Sequence, residues 1–265
     1  MKSVFCILSR NPHKGNLKTA EDIVKTGLLD VVIIVDAPYT HSEDIHKDIK
    51  IVYISDEEAI SNGYQYSCKF VSFNHKDTVA WDKAFYYFGC VNKNYDFLWF
   101  MEDDVFIPSA ELICNMTSKY NQYDVVASKI VSYPCNWNLW KYVEPYMKPP
   151  LLASRVCGVG LSRKLITCAA DYVYNNKRIP FIEGFIPTIA ANNNLVIVEA
   201  PELSSIHNCL HKPTCSMPLH CGSFDNFNIN QFKHFLENNP TVLIHAVKKE
   251  EDYCILYDHY QQMYI

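Results

Sequence analysis

The chain is short of everything that would tie it to a membrane or to nucleic acid. No apolar stretch approaches the roughly 20 residues needed to cross a bilayer, so no transmembrane segment is expected. Its basic runs are brief, such as Lys248-Lys249, and the formal net charge is -5. That leaves no footprint for a phosphate backbone and excludes nucleic acid as an expected partner. The opening MKSVFCILSRNP is broken by Arg10 and Pro12 before a signal-peptide core can form, so a cytoplasmic location is the expectation. CxxC pairs are missing too. The eleven cysteines are odd in number, scattered and mostly in apolar contexts, as at Cys6, Cys90, Cys157 and Cys254, where a free thiol behaves as a small buried hydrophobe. One stretch, HNCLHKPTCSMPLHC, gathers Cys209, His211, Cys215, His220 and Cys221. Taken alone it is either a zinc loop or a proline-punctuated surface loop.

Repeats and low-complexity linkers are also absent, so the 265 residues are expected to form one domain, 1–265. What is present is an alternation of strand and helix signals. SVFCILS (3–9), DVVIIVDAP (30–38) and IKIVYIS (49–55) are short β-branched runs without polar alternation, as suits strands covered on both faces. Between the first two, Leu17, Ala20, Ile23, Val24 and Leu28 recur at helical spacing and stop beside Gly27. Strand, helix, strand at this separation implies a right-handed crossover and a mainly parallel sheet flanked by helices, an α/β fold. A second helical pattern, 77–94, leads into an apolar strand, 97–101.

That strand runs straight into Glu102, Asp103 and Asp104 in FLWFMEDDVFIPS. Ligands of open α/β sheets bind beyond the C-terminal ends of strands, and these acids leave such an end. In an extended segment Glu102 and Asp104 can project to one side and Asp103 to the other. Adjacent anions beside an apolar strand raise one another's pKa unless a cation offsets them, and a divalent metal is the economical answer. The plainer alternative is an acidic turn that ends a strand, with Ser109 capping the next helix.

An apolar strand ending in Glu-Asp-Asp after βα units resembles the DxD-type motif of GT-A glycosyltransferases, especially inverting families with an EDD triplet. The resemblance implies a Rossmann-like nucleotide-sugar-binding half, about 1–108, and an acceptor-binding half, about 109–265. It makes Asp104 a metal ligand, Asp103 a nucleotide-sugar contact and Glu102 an outer or alternative ligand. LLASRVCGVGLSRKLI (151–166) looks like the family's glycine-containing sugar segment, with Gly158 and Gly160 letting sugar approach the backbone; a glycine turn before a capped helix is the other reading. In IPFIEGFIPTIAANNNLVIVEAP (179–201), Glu183 stands among Phe181, Ile182, Phe185 and Ile186. It is either exposed on a turn or held in an apolar site as a general base with a raised pKa. TVLIHAVKK (241–249) resembles the late segment in which a His completes the metal site and a Lys faces the leaving diphosphate, here His245 and Lys248. Asp36 matches the acid that such folds direct at the base or ribose, and Arg10, leaving the first strand, is placed to reach base or phosphate; both could equally make a local salt bridge, and Lys83 is a weaker candidate.

The expected activity is sugar transfer from a nucleoside diphosphate-sugar to a hydroxyl of a glycan, glycoprotein or glycolipid acceptor, aided by Mn²⁺ or Mg²⁺, with inversion if Glu183 is the base; a retaining course, which needs no such base, stays open. Two other classes stand beside it. A sugar nucleotidyltransferase would carry a glycine-rich phosphate loop after the first strand, where SRNPHKGNLK holds only Gly15. A non-catalytic carbohydrate-binding or interaction protein could keep the same fold.

Overall fold

The computed structural model describes residues 1–39, 45–69, 76–135, 137–203 and 229–264. In chain order these form β1 (Ser3–Ser9), α1 (Lys14–Lys25), β2 (Asp30–Val35), β3 (Ile49–Tyr53), α2 (Asp56–Ser61) and α3 (Ala80–Tyr86), the last continued by a π-helical turn, Tyr87–Val91. There follow β4 (Phe97–Glu102), β5 (Val105–Phe106), α4 (Ala110–Tyr120), β6 (Val125–Ala127), β7 (Ile130–Ser132), β8 (Leu152–Ser154) and β9 (Gly158–Ser162). The rest are α5 (Arg163–Asn176), α6 (Ile182–Asn192), β10 (Ile197–Glu199), α7 (Ile229–Asn238), β11 (Ile244–His245) and α8 (Glu250–Tyr264).

The main sheet has seven strands in the order β10-β6-β9-β4-β1-β2-β3. Every pairing within it is parallel except those of β9, which runs antiparallel to both β4 and β6. The central strands β1, β2 and β4 are apolar on both faces because each face meets its own core. β1 sends Val4, Cys6 and Leu8 into one and Phe5 and Ile7 into the other; β4 divides Leu98 and Phe100 from Phe97, Trp99 and Met101 in the same way. The helices start where side chains answer free N–H groups: Ser55, Ser109 and Ser162 each accept from the backbone three residues on. His13 and Asn16 cap α1 reciprocally.

Several sequence boundaries shift. The second and third strands stop at Val35 and Tyr53, and the run 241–249 keeps only two residues as strand. Those two pair antiparallel with β5, apart from the main sheet. Gly158 and Gly160 lie inside β9 instead of in a turn after it. A Cβ on Gly160 would stand 2.7 Å from the Phe97 ring and 3.0 Å from Trp99. Its missing side chain therefore makes room for the core's aromatics, not for sugar. Cys6 and Cys157 are buried as expected, but Cys254 is half-buried and Cys90 exposed. The cluster from Cys209 to Cys221 lies outside the described residues. Among the described residues no helix is long and apolar enough to cross a membrane.

The C-terminal helix packs on the body of the fold. The Tyr253 hydroxyl lies 2.9 Å from that of Thr19 in α1, Tyr257 donates to Asp22, and the Tyr253 ring meets Phe106 edge-on at 5.0 Å. With Phe232, Leu236, Ile244 and Val247 these residues make a third small core, which fixes β11 and hence His245. If Gly160 serves packing, Gly160→Ala should lower stability by about 1–3 kcal/mol through overpacking. Chemical denaturation measures this, and an unchanged midpoint would refute the role.

Candidate functional site

The three carboxylates leave β4 beside the end of β1, and register decides their neighbours. Leu8 lies opposite Glu102, so the next residue, Ser9, reaches Asp103. The Ser9 hydroxyl donates to Asp103 Oδ2 at 2.6 Å, the Arg10 N–H donates to the same oxygen at 3.3 Å, and Asn16 Nδ2 donates to the Asp103 carbonyl at 2.9 Å. Burial pushes the Asp103 carboxyl up to about 6 against the lowering effect of Ser9, and the charges of Asp104 and Glu102 add to the rise.

Glu102 ends β4, while Asp103 and Asp104 form the turn before β5 instead of an extended continuation, and Glu102 and Asp104 make contacts other than those of Asp103. Glu102 Oε1 accepts from the Trp81 indole at 2.8 Å, while Oε2 lies 3.9 Å from His245 Nε2. Asp104 Oδ1 lies 3.4 Å from the same nitrogen, buried and without a hydrogen bond of good geometry. Burial raises the Asp104 pKa, but the imidazole and the Lys248 charge outweigh it and hold the carboxyl below its ordinary value. The chain reaches this point because His245 pairs with Val105 across β11 and β5 and the Val247 N–H donates to the Asp104 carbonyl at 2.7 Å. Two acids thus approach one imidazole more than a hundred residues away, although among the described residues the group whose ligand atoms all lie within 4.8 Å of one another is Glu102, Cys157 and His245, without Asp104. A buried carboxylate oxygen without a good donor, beside an imidazole nitrogen and a second carboxylate, is a donor set that fits a divalent cation.

Glu183 sits in the first turn of α6, buried. Its Oε1 accepts from Arg155 Nη1 at 2.7 Å, and its Oε2 is buried without a hydrogen-bond partner. Burial raises the Glu183 pKa, Arg155 opposes the rise, and the charges of Glu102 and His245 also reach it. The acid therefore shares the field of the cluster.

A second group gathers at the ends of β1 and β2. Asp36 is pushed up by burial and feels Lys83, Lys76, Asp56 and Arg10. Arg10 is exposed. Lys83 is wholly buried; its ammonium binds Asp56 at 2.8 Å and donates to the Asp36 carbonyl at 2.8 Å. A cavity of about 490 Å³ beside β3, lined by Pro38, Tyr39, His46, Ile51 and Tyr53 among others, contains none of these acids.

Sequence reasoning passed over Arg155, Trp81, Ser9 and Cys157 as site residues. Cys157 has its sulfur within 4.8 Å of ligand atoms of both Glu102 and His245. Asp82, beside Trp81, is also buried; burial lifts its pKa to about 7, although it accepts from the Ser67 hydroxyl at 2.7 Å and two backbone N–H groups. Of these, Arg155 and Cys157 stand in the glycine-containing segment 151–166 that the sequence itself marks out.

No protein-family model matches this chain, and no curated protein matches it. Solved structures do. The bifunctional glycosyltransferase WbbM is 12% identical over 98% of this chain and 52% of its own, with a TM-score of 0.47. An active-site mutant of the galactosyltransferase LgtC is 10% identical over 95% of this chain and 99% of its own, at 0.45. A 4-diphosphocytidyl-2C-methyl-D-erythritol synthase from Anaerococcus prevotii is 11% identical over 75% and 87%, at 0.43. With scores this low, these likenesses decide nothing about the chemistry of this chain.

The Glu183–Arg155 pair makes a prediction about pH. Because the folded-state pKa of Glu183 lies above its ordinary 4.5, stability falls as pH rises from that ordinary value to the folded one and stays lowered above it, and Arg155 offsets the cost. Arg155→Gln should destabilise the fold by on the order of 3 kcal/mol at about pH 8, and by little near pH 4, where the carboxyl is mostly protonated folded or unfolded. Denaturant unfolding at both pH values measures the difference; an equal loss at both would mean that Arg155 acts through packing alone.

Proposed function

We propose that this chain is a metal-dependent glycosyltransferase of the GT-A kind, moving a sugar from a nucleoside diphosphate-sugar to an acceptor hydroxyl with inversion. The observation that carries the reading is the approach of Glu102 and Asp104 to one imidazole nitrogen, 3.9 and 3.4 Å away, with a buried, half-paired Glu183 in the same field. Asp104, His245 and Glu102 would hold the ion, Mn²⁺ or Mg²⁺. When bound, it supplies positive charge where negative charge develops on a departing diphosphate.

The chain's own groups have distinct tasks. Lys248 adds a cation whose charge already reaches Asp104, on the side where the diphosphate would leave. Asp103, fixed by Ser9, contacts the donor, and Arg10, Asp36 and Lys83 serve the nucleotide end. Lys83 does so through Asp36, since its ammonium binds the Asp36 carbonyl. On this reading residues 1–108 bind the donor and 109–265 the acceptor, a glycan, glycoprotein or glycolipid. Glu183 Oε2 takes the proton of the attacking hydroxyl as the new glycosidic bond forms opposite the departing diphosphate. Arg155 on Oε1 favours the ionised base and fixes its orientation, while burial makes it a stronger base than an exposed glutamate.

Glu183→Gln should lower transfer by about 100-fold or more while leaving nucleoside diphosphate affinity within a few-fold. Transfer kinetics and calorimetry check both halves, and surviving transfer would overturn the base assignment. Asp104→Asn should instead abolish the metal-dependent part of nucleoside diphosphate binding, and unaltered affinity would refute its ligand role. Release of pyrophosphate in place of nucleoside diphosphate would move the chain to the nucleotidyltransferases.

A further inference from the structure

Cys157 is buried and lies where the main sheet delivers it to the acidic strand end. β9 and β4 pair antiparallel with Gly158 opposite Met101, so the next step of the ladder sets Cys157 against Glu102. The Glu102 N–H donates to the Cys157 carbonyl at 2.8 Å. The side chains follow: one carboxylate oxygen of Glu102, one ring nitrogen of His245 and the Cys157 sulfur all lie within 4.8 Å of one another. Among the described residues this is the group of three or more metal-binding side chains so gathered. A lone buried cysteine is ordinarily a packing residue, but this one shares its volume with an imidazole and a carboxylate.

We infer that Cys157 is a protein ligand of the same site, so that Glu102, Cys157 and His245 form a mixed oxygen, sulfur and nitrogen set suited to a thiophilic divalent ion such as Zn²⁺ or Co²⁺. This rests on the reading of Glu102 and His245 as metal-binding groups, and it adds thiophilic ions to the Mn²⁺ that the site is proposed to take. Magnesium takes oxygen ligands and tolerates thiolate poorly, whereas cysteine and histidine together favour zinc, cobalt and their neighbours. Ligand atoms bound to one such ion lie about 2.0–2.3 Å from it, so the three groups need close only slightly. The S–H bond breaks as the sulfur–metal bond forms, and its proton passes to solvent. No electron changes hands. The cost of ionising a buried thiol is offset by the ion's charge, which is why sulfur coordination in a dry pocket goes with metal binding and not with a free thiolate.

Cobalt(II) reports the bond directly, because thiolate coordination gives an intense ligand-to-metal charge-transfer band in the near ultraviolet that oxygen and nitrogen ligands do not. The whole chain, fully reduced, is titrated with Co²⁺ while binding is followed by calorimetry and proton release in weakly buffered solution. Expected are one Co²⁺ bound with the band and with proton release. Cys157→Ser, close in size and able to keep the fold, should lose the band and the thiol's proton. A variant with Cys209, Cys215 and Cys221 all changed to Ser should keep both, which separates this site from the other Cys/His cluster. Co²⁺ binding without the band, a band that survives Cys157→Ser, or a band lost in the triple variant overturns the thiolate ligand and leaves the sugar-transfer reading intact. No binding at all, in a chain whose unfolding is otherwise normal, overturns the metal site and that reading with it.

Discussion

Three carboxylates at the end of a strand buried on both faces repel one another, and the surrounding structure answers that repulsion one acid at a time. Asp103 takes a hydroxyl and a backbone N–H from the end of β1. Glu102 takes the Trp81 indole. Asp104 takes the imidazole of His245 and the more distant charge of Lys248. A chain selected only for stability would put apolar or small polar residues at this point, since buried like charges are costly. Keeping all three is understandable if the residual negative charge has a use, and a cation is the partner that suits it.

The same logic gives Glu183 its own partner within the field of the cluster. The acid is buried, with Arg155 engaging one oxygen and leaving the other buried and unbonded, while the charges of Glu102 and His245 reach it from farther off. Pro187, inside the same helix, removes the N–H that would normally bond the Glu183 carbonyl, so the first turn of α6 is less tied down than its position suggests. Two groups of acids, one adapted to hold charge and one to exchange a proton, is the division of labour that transfer to a hydroxyl requires.

Much of this was legible in the sequence because it follows from period and position. Unbroken apolar runs separated by a helical pattern gave parallel strands, and a strand end gave the location of the acids. Glu183 stood out as the charge in an apolar run, and His245 as the imidazole after one. What escaped notice depends on register between segments distant in sequence. Cys157 faces Glu102 only because β9 runs antiparallel in an otherwise parallel sheet, and nothing in Cys-Gly-Val-Gly states a strand's direction. Gly160 looked like a sugar-facing gap because a missing Cβ does not say what fills it; the Phe97 and Trp99 rings do. The strand 241–249 was overlong because apolar residues there serve a small third core as much as a sheet.

Everything proposed for the site requires those distant groups to share one ion. Anomalous diffraction at the manganese edge, from crystals grown with Mn²⁺ and a nucleoside diphosphate, asks this without any assumption about the reaction. One peak within bonding distance of His245 and Asp104, touching the diphosphate, is the predicted result. A bound nucleotide with no peak between those side chains, or a peak held elsewhere on the surface, would contradict it.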